Sequence, residues 1–158
     1  MKSDCEFVIR EMKDSEIDEA LELMWKVFRQ LIAPEYSKEG IDTFYTQYIK
    51  GKSFREKFAS QREIMYGAFI DEKLVGVLSL SANNAVSCLF VEREYHRMGI
   101  GKQLFEVVIK KLRDRGVMEV MLNASSYAIP FYTHLGFSII GEKTCYKGMI
   151  YTPMKLVL

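Results

Sequence analysis

One segment of the sequence combines glycines and basic residues at a spacing suited to phosphate binding. Residues 95–102 read YHRMGIGK and stand between an apolar run and the most regular amphipathic pattern of the chain. The first N–H groups of a helix have no internal partners and lie at the positive end of its dipole, so they attract anions. Gly99 and Gly101 let the main chain approach an anion closely, and Arg97 and Lys102 add positive charge. The pattern favours a phosphate-binding loop, although a strand-to-helix turn whose glycines serve packing would look the same.

Two common phosphate motifs are absent from this loop. The pattern GxxxxGK[ST] fails because Gln103 follows Lys102 and because position 96 is not glycine. The pattern GxGxxG fails because position 104 is leucine. The loop therefore matches neither a P-loop nor a dinucleotide-binding fingerprint.

The elements that must position the loop are predicted from hydrophobic periodicity. Residues 86–91 are typical of a strand buried on both faces, and residues 99–115 carry a helical apolar stripe that stops at Gly116. Further helices are expected from Asp14 or Ser15 to about residue 30, from Ser37 over the aromatic repeat at 41–49, at 53–60 and at 130–135, with strands at 5–10, 64–70, 74–80, 117–122, 137–140 and 149–156.

The order of the main elements, β-α-α-β-β-β-α-β-α-β-β, alternates only in part. A purely parallel sheet is therefore a poor fit, and we expect an α/β protein with a mixed sheet and helices on its faces. No internal repeat, low-complexity tract or Pro/Gly/Ser-rich linker divides the chain. The expectation is one domain over residues 1–158.

Composition and charge exclude several classes of protein. Hydrophobic residues make up 49% and charged residues 27% of the chain, which is typical of a globular core and not of a disordered protein. The net charge of +1 is too small for a general polyanion binder. Residues 93–115 hold seven basic and three acidic residues, but exposed aromatic residues suited to base stacking are missing, so nucleic acid is not an expected partner.

The cysteines and the hydropathy of the chain indicate the cellular compartment in which the protein is expected. Cys5, Cys88 and Cys145 are an odd number without a CxxC pair, so neither a disulfide framework nor a metal site is expected. No apolar run approaches the roughly 20 residues of a membrane helix, and the first residues include acids where a secretory signal would be apolar. We expect a cytoplasmic protein with no membrane partner.

Two segments resemble the signature motifs of the GCN5-related N-acetyltransferases (GNAT). The first, similar to motif A with its pattern [Q/R]-x-x-G-x-[G/A], comprises Leu89, Phe90 and Val91 and then His96, Arg97, Met98, Gly99, Ile100 and Gly101. The second, residues 123–137 (NASSYAIPFYTHLGF), resembles motif B with its ending FYxxxGF. Both stand in the family's order and separation, so the resemblance covers nearly the whole chain. His96 departs from the usual glutamine or arginine.

This resemblance implies acetyl-CoA as the acyl donor. N–H groups from Arg97 through Met98, Gly99, Ile100 and Gly101 to Lys102 would hold its pyrophosphate. Its pantetheine arm would lie along the strand of Leu89, Phe90 and Val91, from which the next strand is expected to splay, and the N–H of Leu89 would stabilise the thioester oxyanion. By the same likeness the Asn123 amide would bind the pantetheine, unless it is a turn residue. His96 would act through its main chain, with an exposed loop histidine as an equal alternative.

The resemblance indicates a residue for the general acid more clearly than for the general base. By resemblance the Tyr132 phenol would protonate the leaving thiolate, although a packing aromatic residue is an alternative. Some family members carry a glutamate early in the strand before motif A, but here the position is Ala85 and no carboxylate lies between Lys73 and Val91. Glu35 is a candidate base by resemblance, with a solvated loop acid as the favoured interpretation. The other options are a water chain, a base from another segment of the chain, or an acceptor that arrives neutral.

The implied activity is direct acetyl transfer, in a ternary complex, to a primary amine of a small molecule or peptide. Cys88 is interpreted as a small core residue and not as an acyl relay. A non-catalytic acyl-CoA-binding or sensor domain is the alternative from another class. A homodimer is possible by resemblance.

Overall fold

A computed structural model describes residues 6–158, so the prediction of a strand starting at Cys5 lies partly outside the described residues. Its sheet holds eight strands in the order β1-β2-β3-β4-β5-β8-β6, with β7 pairing on β8. The strands are β1 Val8–Glu11, β2 Glu63–Ile70, β3 Lys73–Ser81, β4 Ala85–Val91, β5 Glu119–Ala124, β6 Ser138–Ile139, β7 Thr144–Tyr146 and β8 Met149–Val157.

Within residues 6–158, five α-helices flank the sheet. They are α1 Ile17–Leu31, α2 Lys38–Phe44, α3 Lys52–Ala59, α4 Ile100–Asp114 and α5 Ile129–His134. A π-helical stretch, Tyr45–Lys50, extends α2. Ser37 caps α2, since its hydroxyl accepts the N–H of Gly40 at 3.2 Å, as the sequence predicts.

The sheet separates two cores. On one face α4 and α5 bury Leu104, Phe105 and Tyr132 against the strands. On the other face α1, α2 and α3 bury Phe28, Phe44 and their aromatic neighbours. The predicted mixed sheet with helices on both faces is thus confirmed; only β4 and β5 run parallel, and the other pairs are antiparallel.

Some predicted boundaries were wrong by a few residues. The first helix begins at Ile17 and not at Asp14 or Ser15, because a 3-10 turn precedes it and the Glu16 carboxylate accepts the Lys13 N–H at 2.9 Å. The strand expected at 117–122 is β5, at Glu119–Ala124. The short strand β7 has no counterpart among the predicted elements.

The central sheet opens between β4 and β5. These strands pair only through Ala85 with Met121 and Val86 with Leu122. Across the other edge of β4, the register with β3 jumps from Ser79–Cys88 to Leu80–Val86, which leaves Ser87 as an extra, bulged residue. Residues 87–89 are consequently half-buried, so the prediction of a strand buried on both faces was wrong for its middle.

The turn between β7 and β8 is fastened to α2 by a close backbone contact, which we call the α2 clamp. A Cβ on Gly40 would stand 2.2 Å from the carbonyl oxygen of Gly148, so the two glycines allow the chains to touch. The Thr43 hydroxyl donates to the carbonyl of Lys147 at 2.7 Å, and the Tyr36 hydroxyl donates to that of Ile150 at 2.9 Å. The clamp holds α2 and the hairpin together over one end of the open sheet.

The clamp predicts that alanine is poorly tolerated at Gly148. Gly148 has φ +83°, and a Cβ there would stand 2.4 Å from the Gly40 nitrogen. Gly116 has a similar φ of +77° but nothing within 4 Å of the same position. We expect Gly116→Ala to lower the free energy of unfolding by about 1–2 kcal/mol, the cost of the left-handed conformation alone. Gly148→Ala should cost about 3 kcal/mol or more, because steric overlap is added.

Urea denaturation of both variants measures this difference. Equal losses of stability would contradict the clamp, since the two substitutions share the backbone term and differ only in the contact with Gly40.

Candidate active site

A cavity of about 1080 Å³ occupies the opening between β4 and β5. One wall is β4 itself, and the opposite wall is formed by β5, the turn after it and α5. Residues of α1, α2 and β8 close one end, and Gly101 and His96 lie at the other. The cavity therefore extends from the predicted phosphate loop to helices α1 and α2.

The open edge of β4 presents unpaired main-chain groups to this cavity. The N–H of Glu92 bonds the carbonyl of Val75 on β3 at 2.8 Å. Because backbone groups alternate sides along an antiparallel strand, those of Phe90 also point to β3, while those of Leu89 and Val91 point to the opening. The cavity side therefore has a free N–H at Leu89, at the position where the sequence predicts an oxyanion donor.

His96 closes part of this edge with its side chain. Its Nε2 lies 2.8 Å from the carbonyl oxygen of Val91, and since a carbonyl can only accept, the ring nitrogen donates. This bond anchors the loop to the end of β4. The side chain of His96 thus has a defined partner in addition to the main-chain position that the resemblance implies.

The glycine-containing segment leads from β4 into α4, as the sequence predicts, and its two glycines serve different purposes. Gly99 adopts φ +74° and has open space where a Cβ would stand. A Cβ on Gly101 would instead meet the Phe131 ring at 3.1 Å, so this glycine serves packing of α5 over α4. The first bond of α4 runs from the Gln103 N–H to the Gly99 carbonyl at 3.0 Å. The N–H groups of Ile100, Gly101 and Lys102 therefore precede the helical ladder and remain available.

The remaining predicted donor-site residues lie around that loop. Arg97 and Met98 end the 3-10 helix Arg93–Met98. The side chains of Arg97 and Lys102 are exposed, so their charges face the solvent side of the helix start. Asn123 lies within β5, opposite Pro153 of β8, and lines the cavity; the alternative reading of it as a turn residue was wrong.

Tyr132 projects from α5 into the cavity wall. It is 6% exposed and packs edge-on against Phe105 and Phe137, with ring centroids 5.8 and 5.7 Å away. Burial raises the pKa of the phenol, and the neighbouring Cys88 thiol adds to this rise. The hydroxyl therefore stays protonated at neutral pH.

A buried carboxylate, Glu63, lies behind the same β4 wall, and the sequence analysis missed it. Glu63 begins β2 and is 4% exposed. Its Oε2 accepts the hydroxyl of Ser79 at 2.5 Å and its Oε1 accepts the hydroxyl of Ser87 at 2.7 Å. Ser87 lines the cavity, so it connects the cavity to a carboxylate that the solvent does not reach. Glu35, the base candidate taken from the resemblance, is exposed and does not line the cavity.

Cys88 sits beside Ser87 on the cavity wall, with its Sγ 3.9 Å from the Met24 sulfur. Burial strongly raises the pKa of the thiol, and the negative charge of Glu63 raises it further. A thiol that stays protonated is a poor nucleophile. The structure therefore places Leu89, Tyr132, Asn123, His96 and Gly101 on one cavity, with Ser87, Ser125 and Tyr127 as lining residues that the sequence analysis did not single out.

Two absences are limited to residues 6–158. Over that range no group of three or more His, Cys, Asp or Glu side chains is arranged to hold a metal ion. No helix within the described part of the chain is long and apolar enough to cross a membrane.

Comparisons with known proteins agree with this geometry. A family model described as an acetyltransferase (GNAT) domain matches residues 32–158. GCN5-related N-acetyltransferase 2, chloroplastic, from Arabidopsis thaliana is 31% identical over 87 residues, which are 52% of this chain and 33% of that protein. The chain thus spans about a third of that curated relative.

Solved structures are similar over nearly the full length. The PaiA N-acetyltransferase from Thermoplasma acidophilum, crystallised in complex with coenzyme A, has a TM-score of 0.79 and 26% identity, covering 97% of this chain and 99% of that one. A GCN5-related N-acetyltransferase from Rhodopseudomonas palustris has a TM-score of 0.81 at 18% identity, covering 96% and 95%, which is a likeness of fold.

Proposed function

The chain belongs to the GNAT family of acetyltransferases, and we propose that it transfers the acetyl group of acetyl-CoA directly to a primary amine in a ternary complex. The observation that carries the proposal is one cavity that contains the open edge of β4, the start of α4 and the protonated Tyr132. The donor supplies an acetyl thioester. The amine nitrogen bonds to its carbonyl carbon, and the carbon–sulfur bond breaks.

The residues present fit such a donor. The free edge of β4 at Leu89 and Val91 suits an extended arm that adds to the sheet like a strand. The start of α4 offers N–H groups at Ile100, Gly101 and Lys102, and the open space at Gly99 leaves room for a diphosphate. The coenzyme A complex of the 26%-identical PaiA protein supports the same ligand here.

Leu89 stabilises the reacting carbonyl through its main chain. Negative charge grows on the thioester oxygen as the amine attacks, and a fixed N–H dipole aimed at that oxygen lowers the barrier. The Leu89 N–H is held rigidly by the sheet on its other side. This N–H group therefore needs no rearrangement at the moment of reaction.

Tyr132 is proposed to protonate the departing thiolate. Its raised pKa keeps the phenol protonated throughout the neutral range, so the proton is present when the thiolate forms. Packing against Phe105 and Phe137 fixes the ring, so the hydroxyl has one direction in which to donate. The packing role considered from the sequence and the acid role are therefore compatible.

Glu63 is proposed to take the proton that the ammonium must lose before attack. An alkylammonium has a pKa of about 10.4 and is almost fully charged at pH 7. Its N–H donates to Ser87 Oγ, while the Ser87 hydroxyl passes its own proton to Glu63 Oε1 at 2.7 Å. Formation of the amide releases a second proton from the nitrogen, which balances the one that Tyr132 gives to the thiolate.

The direct route is favoured over an acetylated enzyme because the Cys88 thiol is held protonated by burial. The cytoplasmic location expected from the sequence stays a prediction. The homodimer expected by resemblance also stays a prediction.

A non-catalytic acyl-CoA sensor is the competing function, and one assay separates the two. We expect acetyl-CoA to bind in calorimetry and free thiol to appear when an amine panel is added. Binding with no thiol release on any amine would favour the sensor. No binding at all would contradict both.

Replacement of Tyr132 by phenylalanine should remove the acid and leave the fold intact. We expect kcat to fall roughly 100-fold or more, with acetyl-CoA affinity unchanged within a few-fold. Tyr66→Phe is the matched control, because Tyr66 is a buried tyrosine outside the cavity. A kcat within a few-fold of the parent protein, with the donor still bound, would contradict the acid role.

Replacement of Glu63 by glutamine should impair turnover in a pH-dependent way. At pH 7 we expect kcat/KM for an alkylamine to fall roughly 100-fold, with the deficit shrinking toward pH 10 because the amine then arrives neutral. Ser87→Ala should reproduce the effect, since it breaks the link from the cavity to the carboxylate. Ser79→Ala removes the other hydroxyl on that carboxylate and should lose less. A deficit that is equal at all pH values would indicate a purely structural Glu63.

A further inference from the structure

The end of the cavity that the donor does not need has a distinct chemistry, and we propose that it takes a primary monoamine with a flat, apolar body. This end, the acceptor chamber, is walled by α1, α2 with its π-helical extension, the middle of β4 and the β7–β8 hairpin. The proposal rests on the proposed function and narrows its acceptor from primary amines in general to one class.

The walls of the acceptor chamber are aromatic and interlocked. Phe28 and Phe44 stack with ring centroids 3.9 Å apart and planes within 5°. Phe44 also meets Phe90 edge-on at 5.9 Å and Tyr48 at 5.2 Å. Tyr36 stands edge-on to Phe28 at 5.5 Å. Phe28 and Phe44 are only 2% and 7% exposed, so they form the packed layer behind the chamber. The half-buried rings of Tyr36 and Tyr48 lie in front of them, and such rings favour planar apolar groups, which pack on them and displace water.

Tyrosine and methionine complete the chamber on the hairpin side, where Tyr146, Met149 and Tyr151 line it. The α2 clamp keeps these residues opposite α2. The hydroxyl of Tyr36 is already engaged with the Ile150 carbonyl, so it contributes its ring and not a free polar group.

The chamber offers no charged wall to a polycation. Among the described residues that line the whole cavity there is no Asp, Glu, Lys or Arg. The acids that crowd α1, such as Asp18, Glu19 and Glu22, are exposed on the outer face of that helix. Each additional ammonium brought into an uncharged, aromatic chamber would lose its hydration without gaining a counter-charge.

The Glu63 carboxylate is linked to the chamber through Ser87, and it can balance the charge of one ammonium group. This serine precedes Leu89 by two residues along β4. An ammonium on Ser87 therefore stands at the reacting end, with the rest of the acceptor extending toward the half-buried rings of Tyr48 and Tyr36. The arrangement matches a molecule with a single amine at one end and an apolar ring at the other.

A panel of acceptors tests the class on the parent protein. The probes are 2-phenylethylamine, the linear triamine spermidine and a short lysine peptide, each measured by thiol release with saturating acetyl-CoA. We expect kcat/KM for phenylethylamine to exceed the other two by roughly tenfold or more. Calorimetry of each probe with the protein–coenzyme A complex gives a second ranking that does not need turnover.

Gln47 provides an isosteric gain-of-function test. It lines the chamber and is half-buried, so Gln47→Glu adds one negative charge with almost no change of shape. We expect this variant to raise kcat/KM for spermidine roughly tenfold, and to change that for phenylethylamine much less. A merely structural effect of the substitution would lower both.

The outcomes distinguish a wrong acceptor class from a failure of the proposed acetyl transfer. Turnover or binding of spermidine or the peptide that equals or exceeds that of phenylethylamine would overturn the acceptor class and leave acetyl transfer standing. Binding in the predicted order with no thiol release would support the chamber's chemistry and overturn the proposed transfer. No binding of phenylethylamine to the protein–coenzyme A complex would overturn the acceptor class.

Discussion

The separation of β4 from β5 is the constraint on which the rest of this structure depends. Two neighbouring parallel strands pair at Ala85 and Val86 and then part, which leaves main-chain N–H and C=O groups facing a cavity. Unpaired backbone groups inside a protein are costly unless water or a ligand satisfies them. Here they are satisfied partly by His96 and otherwise remain available to an extended partner. The helix start and the aromatic chamber both owe their access to this one opening.

The site is assembled from chain segments with different physical tasks. The β4–α4 unit and the β5–α5 unit form the proposed donor side, and both are short stretches of sequence whose spacing fixes their geometry. The proposed acceptor side comes from α1, α2 and the β7–β8 hairpin, and the α2 clamp holds the last two together. Glu63 comes from a third place, two strands away from the cavity. The segments proposed to hold the acceptor are thus largely separate along the chain from those proposed to hold the donor.

Features that lie within one continuous segment could be predicted from the sequence, whereas contacts between distant segments could not. The glycine loop, α4 and the motif containing Tyr132 lie within continuous stretches, so spacing and resemblance were enough to place them. Glu63 acts across 24 residues of sequence on Ser87, and a search for acids near Leu89 along the chain had no means of finding it. The half-burial of Cys88 and Leu89 also escaped periodicity, because an apolar run has the same pattern whether its strand is covered or opens onto a cavity. The hairpin strand β7 is too short, at three residues, to show any period.

Because of the bulge at Ser87, the arrangement of the site depends on how many residues β4 contains as well as on which residues they are. In an unbroken ladder side chains alternate, and neighbours such as Ser87 and Cys88 would point to opposite faces. The extra residue breaks that alternation and lets both reach the α1 side of the sheet, where one contacts Glu63 and the other Met24. Removing Val86 would restore a regular strand with Ser87 opposite Leu80, whose side chain packs on the other face, and would so turn the serine away from the carboxylate. In related chains the length of this strand is therefore as informative about the chemistry of the cavity as the letters it contains.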